Sequence, residues 1–132
     1  MSPVIEKRLL QALLAVAMVL PITAAVSGIV YGPEFLDRHG ALARDLDSHF
    51  RYINGLFFGI LCWYASCIPA IERHGPRLRL LGSLVIFGGL MRALSWGLVG
   101  PPSLGHKIGL GIELVIVPIV LLWQARLARR FT

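Results

Sequence analysis

Residues 9–31 read LLQALLAVAMVLPITAAVSGIVY, a run without one charged side chain. At 1.5 Å rise per residue, about 20 such residues cross the hydrocarbon core of a bilayer, so this stretch suffices as one spanning helix. Apolar stretches of similar length recur at 49–68, 80–98 and 108–125. A closed β-barrel would also satisfy its backbone in lipid, but its strands would alternate in polarity, whereas these segments are apolar nearly all round. The expected fold is therefore all-α, a bundle of four transmembrane helices at about 9–31, 49–68, 80–98 and 108–125, forming a single integral membrane domain over residues 1–132.

Composition leads to the same place. The chain has 132 residues, 56% hydrophobic and 15% charged. A water-soluble domain of this size could not bury so much apolar surface, because small domains have a high surface-to-volume ratio. This excludes soluble enzymes and disordered basic tails. Nucleic acid is excluded as a partner too, despite the net charge of +6, since no basic patch with interleaved aromatic residues is present. The bilayer itself is the first expected partner.

The connector 32–48 is the longest, and a short interfacial helix is expected over Pro33 to Leu46. The first segment also imitates a signal peptide: Lys7 and Arg8 precede the apolar run, and Ala24-Ala25-Val26-Ser27 offers small residues at a cleavage position. Its length, continuing through Ile29, Val30 and Tyr31, favours a retained helix. Lys7, Arg8, Arg73, Arg77, Arg79, Arg126, Arg129 and Arg130 fall on the side of both termini and the second connector. Arg38, Arg44 and Lys107 lie opposite, beside Glu34, Asp37, Asp45 and Asp47. By the positive-inside rule both termini are expected in the cytoplasm, in a bacterial inner membrane crossed several times.

Charged side chains inside spanning segments are costly and normally face one another or a cavity. Counting inward from the outer helix ends, Asn54, Arg92 and Glu113 each lie roughly 7 to 9 Å deep, with Arg51 shallower. One polar layer in the outer half of the membrane is expected, drawn from three helices. On the second helix Arg51, Asn54, Gly55, Phe58, Gly59 and Cys62 share a stripe; Gly88, Arg92 and Ser95 align on the third, and His106, Gly109 and Glu113 on the fourth. Glycine beside each polar group is expected to bring these helices close.

Two alternatives stand for this layer. Arg92 and Glu113 form a structural ion pair, with Arg51 and Asn54 completing a hydrogen-bonded network. Or Arg51, Asn54, Arg92, Ser95 and Glu113 line a ligand pocket, in which two arginines over one glutamate leave a positive charge for an anionic group; Asp47, four residues before Arg51, offers that arginine another partner. His39 and His74 lie in connectors, and His49 and His106 at outer helix ends, without metal-ligand spacing. Cys62 and Cys67 are five apart on one helix, so they point apart, and no Cys-x-x-Cys exists. No cofactor and no metal is expected. Pro21 and Pro118 should kink their helices, and Tyr31, Tyr52, Trp63, Tyr64, Trp96 and Trp123 read mostly as interfacial anchors.

The run 47–59, DSHFRYINGLFFG, followed by FGGLMRALS at 87–95, Gly100-Pro101-Pro102 and Glu113-Leu114, resembles the bacterial membrane family known as domain of unknown function 4345. The resemblance implies a small four-helix inner-membrane protein with no assigned activity. The layout is also similar, by helix count alone, to the DoxX-like group. The expected role is binding of a lipid-like or anionic amphipathic small molecule, or an accessory role in a larger membrane complex, with glycine-rich faces available to a homo-oligomer. A membrane oxidoreductase or transferase acting on a quinone or lipid is the alternative.

Overall fold

A computed structural model describes residues 2–35 and 44–131. It contains four helices: α1 (Pro3–Tyr31), α2 (Arg44–Cys67), α3 (Gly75–Val99) and α4 (Leu104–Ala128). No strand occurs among the described residues. Each helix runs several residues beyond its apolar stretch, because hydropathy marks the part suited to lipid while backbone hydrogen bonding continues into the polar flanks. Pro3 and Pro76 sit in the first turns of α1 and α3, where an amide donor would be unused and the fixed φ suits the helix.

Three of the four helices, α1, α3 and α4, are long and apolar enough to cross a membrane. The expected fourth, α2, falls outside that set. Its first half carries Asp45, Asp47, His49, Arg51 and Asn54, which offset the apolar run from Leu56 to Cys62. Of the interfacial helix expected over Pro33 to Leu46, residues 32–35 form a 3₁₀ turn and 44–46 open α2. The remainder, with Asp37, Arg38 and His39, lies outside the described residues.

Each helix packs on two others: α1 on α2 and α4, and α3 on α4 and α2. The α1/α2 pair is antiparallel. The Gln11 side-chain amide donates to the carbonyls of Ile68 (2.7 Å) and Pro69 (3.1 Å) at one end, while Gly28 meets Asn54 near the other. Both termini and the 68–74 connector share the first end. There Lys7 pairs with Glu72 at 2.9 Å, and the buried Gln124 donates to the Ile71 carbonyl at 2.8 Å. Glu6, also buried, accepts from Trp123 Nε1 at 3.0 Å and from Arg130. Burial alone would raise the Glu72 carboxyl, but the Lys7 ammonium and a backbone hydrogen bond outweigh it and hold it below its ordinary range.

The core concentrates near this end. Leu10, Leu14, Leu61, Cys67, Ile71, Leu78, Leu81, Val120 and Leu127 are all buried, and at the far end Ala25 is the one buried apolar side chain among the described residues. Elsewhere large apolar side chains face outward, Val16, Val19, Phe87 and Leu122 among them. In water such a surface would aggregate; against acyl chains it costs nothing.

Glycine brings helices together, but at positions other than those expected. A Cβ on Gly28 would stand 2.5 Å from Asn54 Cγ, one on Gly82 would stand 2.7 Å from Leu121 Cδ1, and one on Gly89 would stand 2.8 Å from Glu113 Cβ. Gly55, Gly59, Gly88 and Gly109 meet nothing within 4 Å. On α3 the inward face passes through Gly89 and Arg92, three residues apart, and leaves Gly88 outside it.

Candidate functional site

Arg92 and Glu113 join α3 to α4 through two parallel hydrogen bonds, Nε to Oε2 and Nη2 to Oε1, both 3.0 Å. This is the forked pairing in which guanidinium and carboxylate geometries match. Gly89, one turn before Arg92, permits it, because any side chain there would collide with the side chains of Glu113 and Leu114. On α4 the carboxylate sits in a single π turn, Ile112–Ile116, where the Val117 N–H donates to the Ile112 carbonyl five residues back. Pro118 follows directly and has no N–H to give the Leu114 carbonyl. The distortion expected at Pro118 thus takes the form of a widened turn ahead of it, whereas α1 is assigned as one uninterrupted α-helix through Pro21.

Arg51 and Asn54 belong to a different arrangement. Arg51 donates Nε to Asp47 Oδ2 (2.9 Å) and Nη2 to Oδ1 (3.1 Å), while its Nη1 reaches the carbonyls of Ile29 (2.6 Å) and Val30 (2.8 Å). A cation thereby satisfies the end of α1, where carbonyls are orphaned and the helix dipole is negative. The chain leaves α1 through Gly32 at φ +63, close against the Asp47 and Arg51 side chains. A larger residue would be strained there and would also collide. Asn54 donates to the Phe50 carbonyl at 2.8 Å and lies on Gly28.

The single polar layer therefore resolves into two clamps, Asp47–Arg51 on the end of α1 and Arg92–Glu113 between α3 and α4. Each arginine has a carboxylate within its own clamp. This removes the excess of two arginines over one glutamate on which an anionic ligand was argued.

Between the clamps the helices part. Only the Val117–Ala128 portion of α4 packs closely on α1, and outward of it a cavity of about 310 Å³ opens. Leu14, Ala17, Met18, Pro21 and Ala24 of α1 form one wall, and Ile112, Ile116, Val117 and Val120 of α4 the other, with Phe57, Leu61, Tyr64 and Val85 behind. Its polar lining gathers mostly at one end, where Arg92, Ser103, His106 and Glu113 stand. Arg92, Ser103 and His106 also line a depression with Ser95, Trp96 and Pro102, which forms the cavity's mouth beside the α3–α4 connector. Ser103 Oγ and His106 Nδ1 are 3.0 Å apart, and Lys107 covers the Trp96 ring at 5.6 Å.

Of the five expected site residues, Arg92 and Glu113 line the cavity and Ser95 its mouth, whereas Arg51 and Asn54 hold α1 to α2. His49 stacks on Tyr52 instead, at 6.5 Å between centroids. Ser103, His106 and Tyr64 were not singled out for the site. Ser103 and His106 carried a weak signal, three residues apart on the approach to Glu113. Tyr64, taken as an anchor at the interface, is a core residue only 5% exposed; its spacing from Leu61 and Cys67, three on either side, marks that inward face. Trp123 also departs from the anchor role, since its indole N–H is committed to Glu6. Both cysteines are free. Among the described residues no three His, Cys, Asp or Glu side chains gather as a metal-holding group.

Residues 9–124 match the model of the family described as Domain of unknown function (DUF4345). No curated protein and no solved structure matches the chain. The chain belongs to that family.

Proposed function

With membership of a family of unknown function as the premise, we propose that this is a small bacterial inner-membrane protein that holds a lipid-like amphiphile in the crevice between α1 and α4. Its apolar chain lies along the walls, and its head takes hydrogen bonds from Arg92, Ser103 and His106 at the mouth. The carrying observation is the shape and polarity of that crevice: apolar along its length, with polar groups mostly at the end that opens beside the connector. A lipid-facing cleft of this kind suits a molecule with one apolar and one hydrogen-bonding end. Because Arg92 is already forked to Glu113, the head need not be an anion. It needs an oxygen able to accept from the remaining guanidinium N–H groups.

Membrane placement follows the same physics. α2 crosses alongside α1, which it accompanies from Ile68 to Asn54, with Arg51 and Asp47 at the outer surface. The end holding both termini and the 68–74 connector faces the cytoplasm, in keeping with its eight basic residues. A second copy or a larger membrane complex remains the expected macromolecular partner.

Native mass spectrometry of gently extracted protein tests the proposal. The wild type should carry an added lipid-like mass, and Ala17→Phe, which fills the crevice from α1, should lose it while remaining folded by thermal unfolding. A wild type without added mass, or an Ala17→Phe protein with the same occupancy, would overturn it.

A further inference from the structure

The crevice has dimensions as well as polarity. Its α1 wall runs from Leu14 at the inner end, through Ala17, Met18 and Pro21, to Ala24 toward the mouth, a rise of about 15 Å. Leu14 and Val120, both buried, close the inner end. An extended chain advances about 1.2 Å per backbone atom, so this wall accommodates about twelve carbons.

Volume gives the same count. An apolar cavity of about 150 Å³ takes one benzene ring, so the crevice at about 310 Å³ takes the carbon of two rings, about twelve atoms. Spread along the wall, that volume is a channel of about 20 Å² in section, the width of one extended hydrocarbon chain. One leaflet of a bilayer is about 15 Å of hydrocarbon thick. A single chain of an ordinary phospholipid would therefore fill the crevice, and its second chain would have to stay outside.

We infer, on the premise that the crevice is occupied as proposed, that its occupant is a single-chain amphiphile of about twelve carbons, a medium-chain alcohol, acid or monoester, in preference to two-chain membrane lipid. A shorter chain leaves empty space against Leu14 and Val120, where the lining atoms lose their contacts. A longer chain must crowd those buried side chains or lift its head away from Arg92, Ser103 and His106. Affinity thus passes through a maximum with chain length.

The test places purified protein in phosphatidylcholine nanodiscs, where the surrounding lipid has two chains. Straight-chain alcohols from octanol to octadecanol are added at one mole fraction, and occupancy is read by native mass spectrometry. Dodecanol should bind about tenfold more tightly than octanol or octadecanol, the scale of void and overpacking costs. Leu14→Ala, which deepens the inner end, should move the maximum to a longer alcohol, and Ala17→Phe should hold none. If alcohols bind without a maximum near dodecanol, or the two-chain lipid is retained in their place, single-chain selection is overturned and the crevice proposal stands. An unmoved maximum in a folded Leu14→Ala protein would overturn it equally; should that variant fail to fold, the wild-type series decides alone. If neither alcohol nor lipid is retained, or if Ala17→Phe binds them as the wild type does, both are overturned.

Discussion

The two ends of this molecule are held together in opposite ways. At the end carrying the termini, Glu6, Lys7, Gln11, Glu72, Gln124 and Arg130 tie α1, α4 and the 68–74 connector into one network over a packed core. At the other end the polar contacts of the described residues stay within one helix pair: Asp47–Arg51 secures α1 to α2, and Arg92–Glu113 secures α3 to α4. One end is cross-linked throughout, and the other consists of two separately clamped hairpins. The cavity opens between the hairpins, where the described residues make few polar cross-links.

The strongest way to break this contrast is to unclamp α3 from α4. Glu113→Leu leaves the Arg92 guanidinium without its carboxylate partner and should destabilise the protein by about 3 kcal/mol. Arg92→Leu combined with Glu113→Leu should recover much of that loss, because no charge is left without a partner. Thermal unfolding of the single and double variants measures this, and a double variant as unstable as the worse single would refute the ion pair.

A smaller effect is expected at the glycine that permits the clamp. Gly89→Val should cost about 1 to 3 kcal/mol by forcing α3 off Glu113 and Leu114. Gly88→Val, whose side chain would meet nothing, should change stability by less than about 0.5 kcal/mol. Equal losses at both positions would mean that the helix face is misassigned.

Smallest of all should be the other clamp. Arg51 and Asp47 are both more than a third exposed, so Arg51→Leu should cost about 1 kcal/mol, through the uncapped carbonyls of Ile29 and Val30. Combined with Glu113→Leu, its cost should add to within about 0.5 kcal/mol, as for independent sites. Marked non-additivity would show one coupled layer in place of two clamps.

Much of this is legible in the sequence. The uncharged run 9–31 and its later counterparts announced helices in lipid, since apolar length is a property of the chain itself. Arg92 and Glu113 stood out because a charge is so costly there that each had to face a partner or a polar cavity. Equal depth, however, did not mean contact. By residue count Asn54 is level with Arg92 and Arg51 shallower, yet both face α1, because depth follows from residue count while facing depends on how each helix is rotated. Facing likewise separates Gly89, which meets Glu113, from its neighbour Gly88, which meets nothing. α2 was harder still, since its polar first half serves the end of α1 and so weakens its own hydropathy.

By itself, then, the sequence determined the solvent, the helices and the need for Arg92 and Glu113 to face a partner or a cavity, all of which follow from local composition and the cost of charge in lipid. Only the tertiary structure decided the rest: which polar groups meet, that Glu6, Gln124 and Tyr64 are buried, and that α4 departs from α1 beyond Val117 to leave a crevice. Those outcomes depend on the rotation and splay of helices against one another, set by the sum of many contacts between residues far apart in the chain.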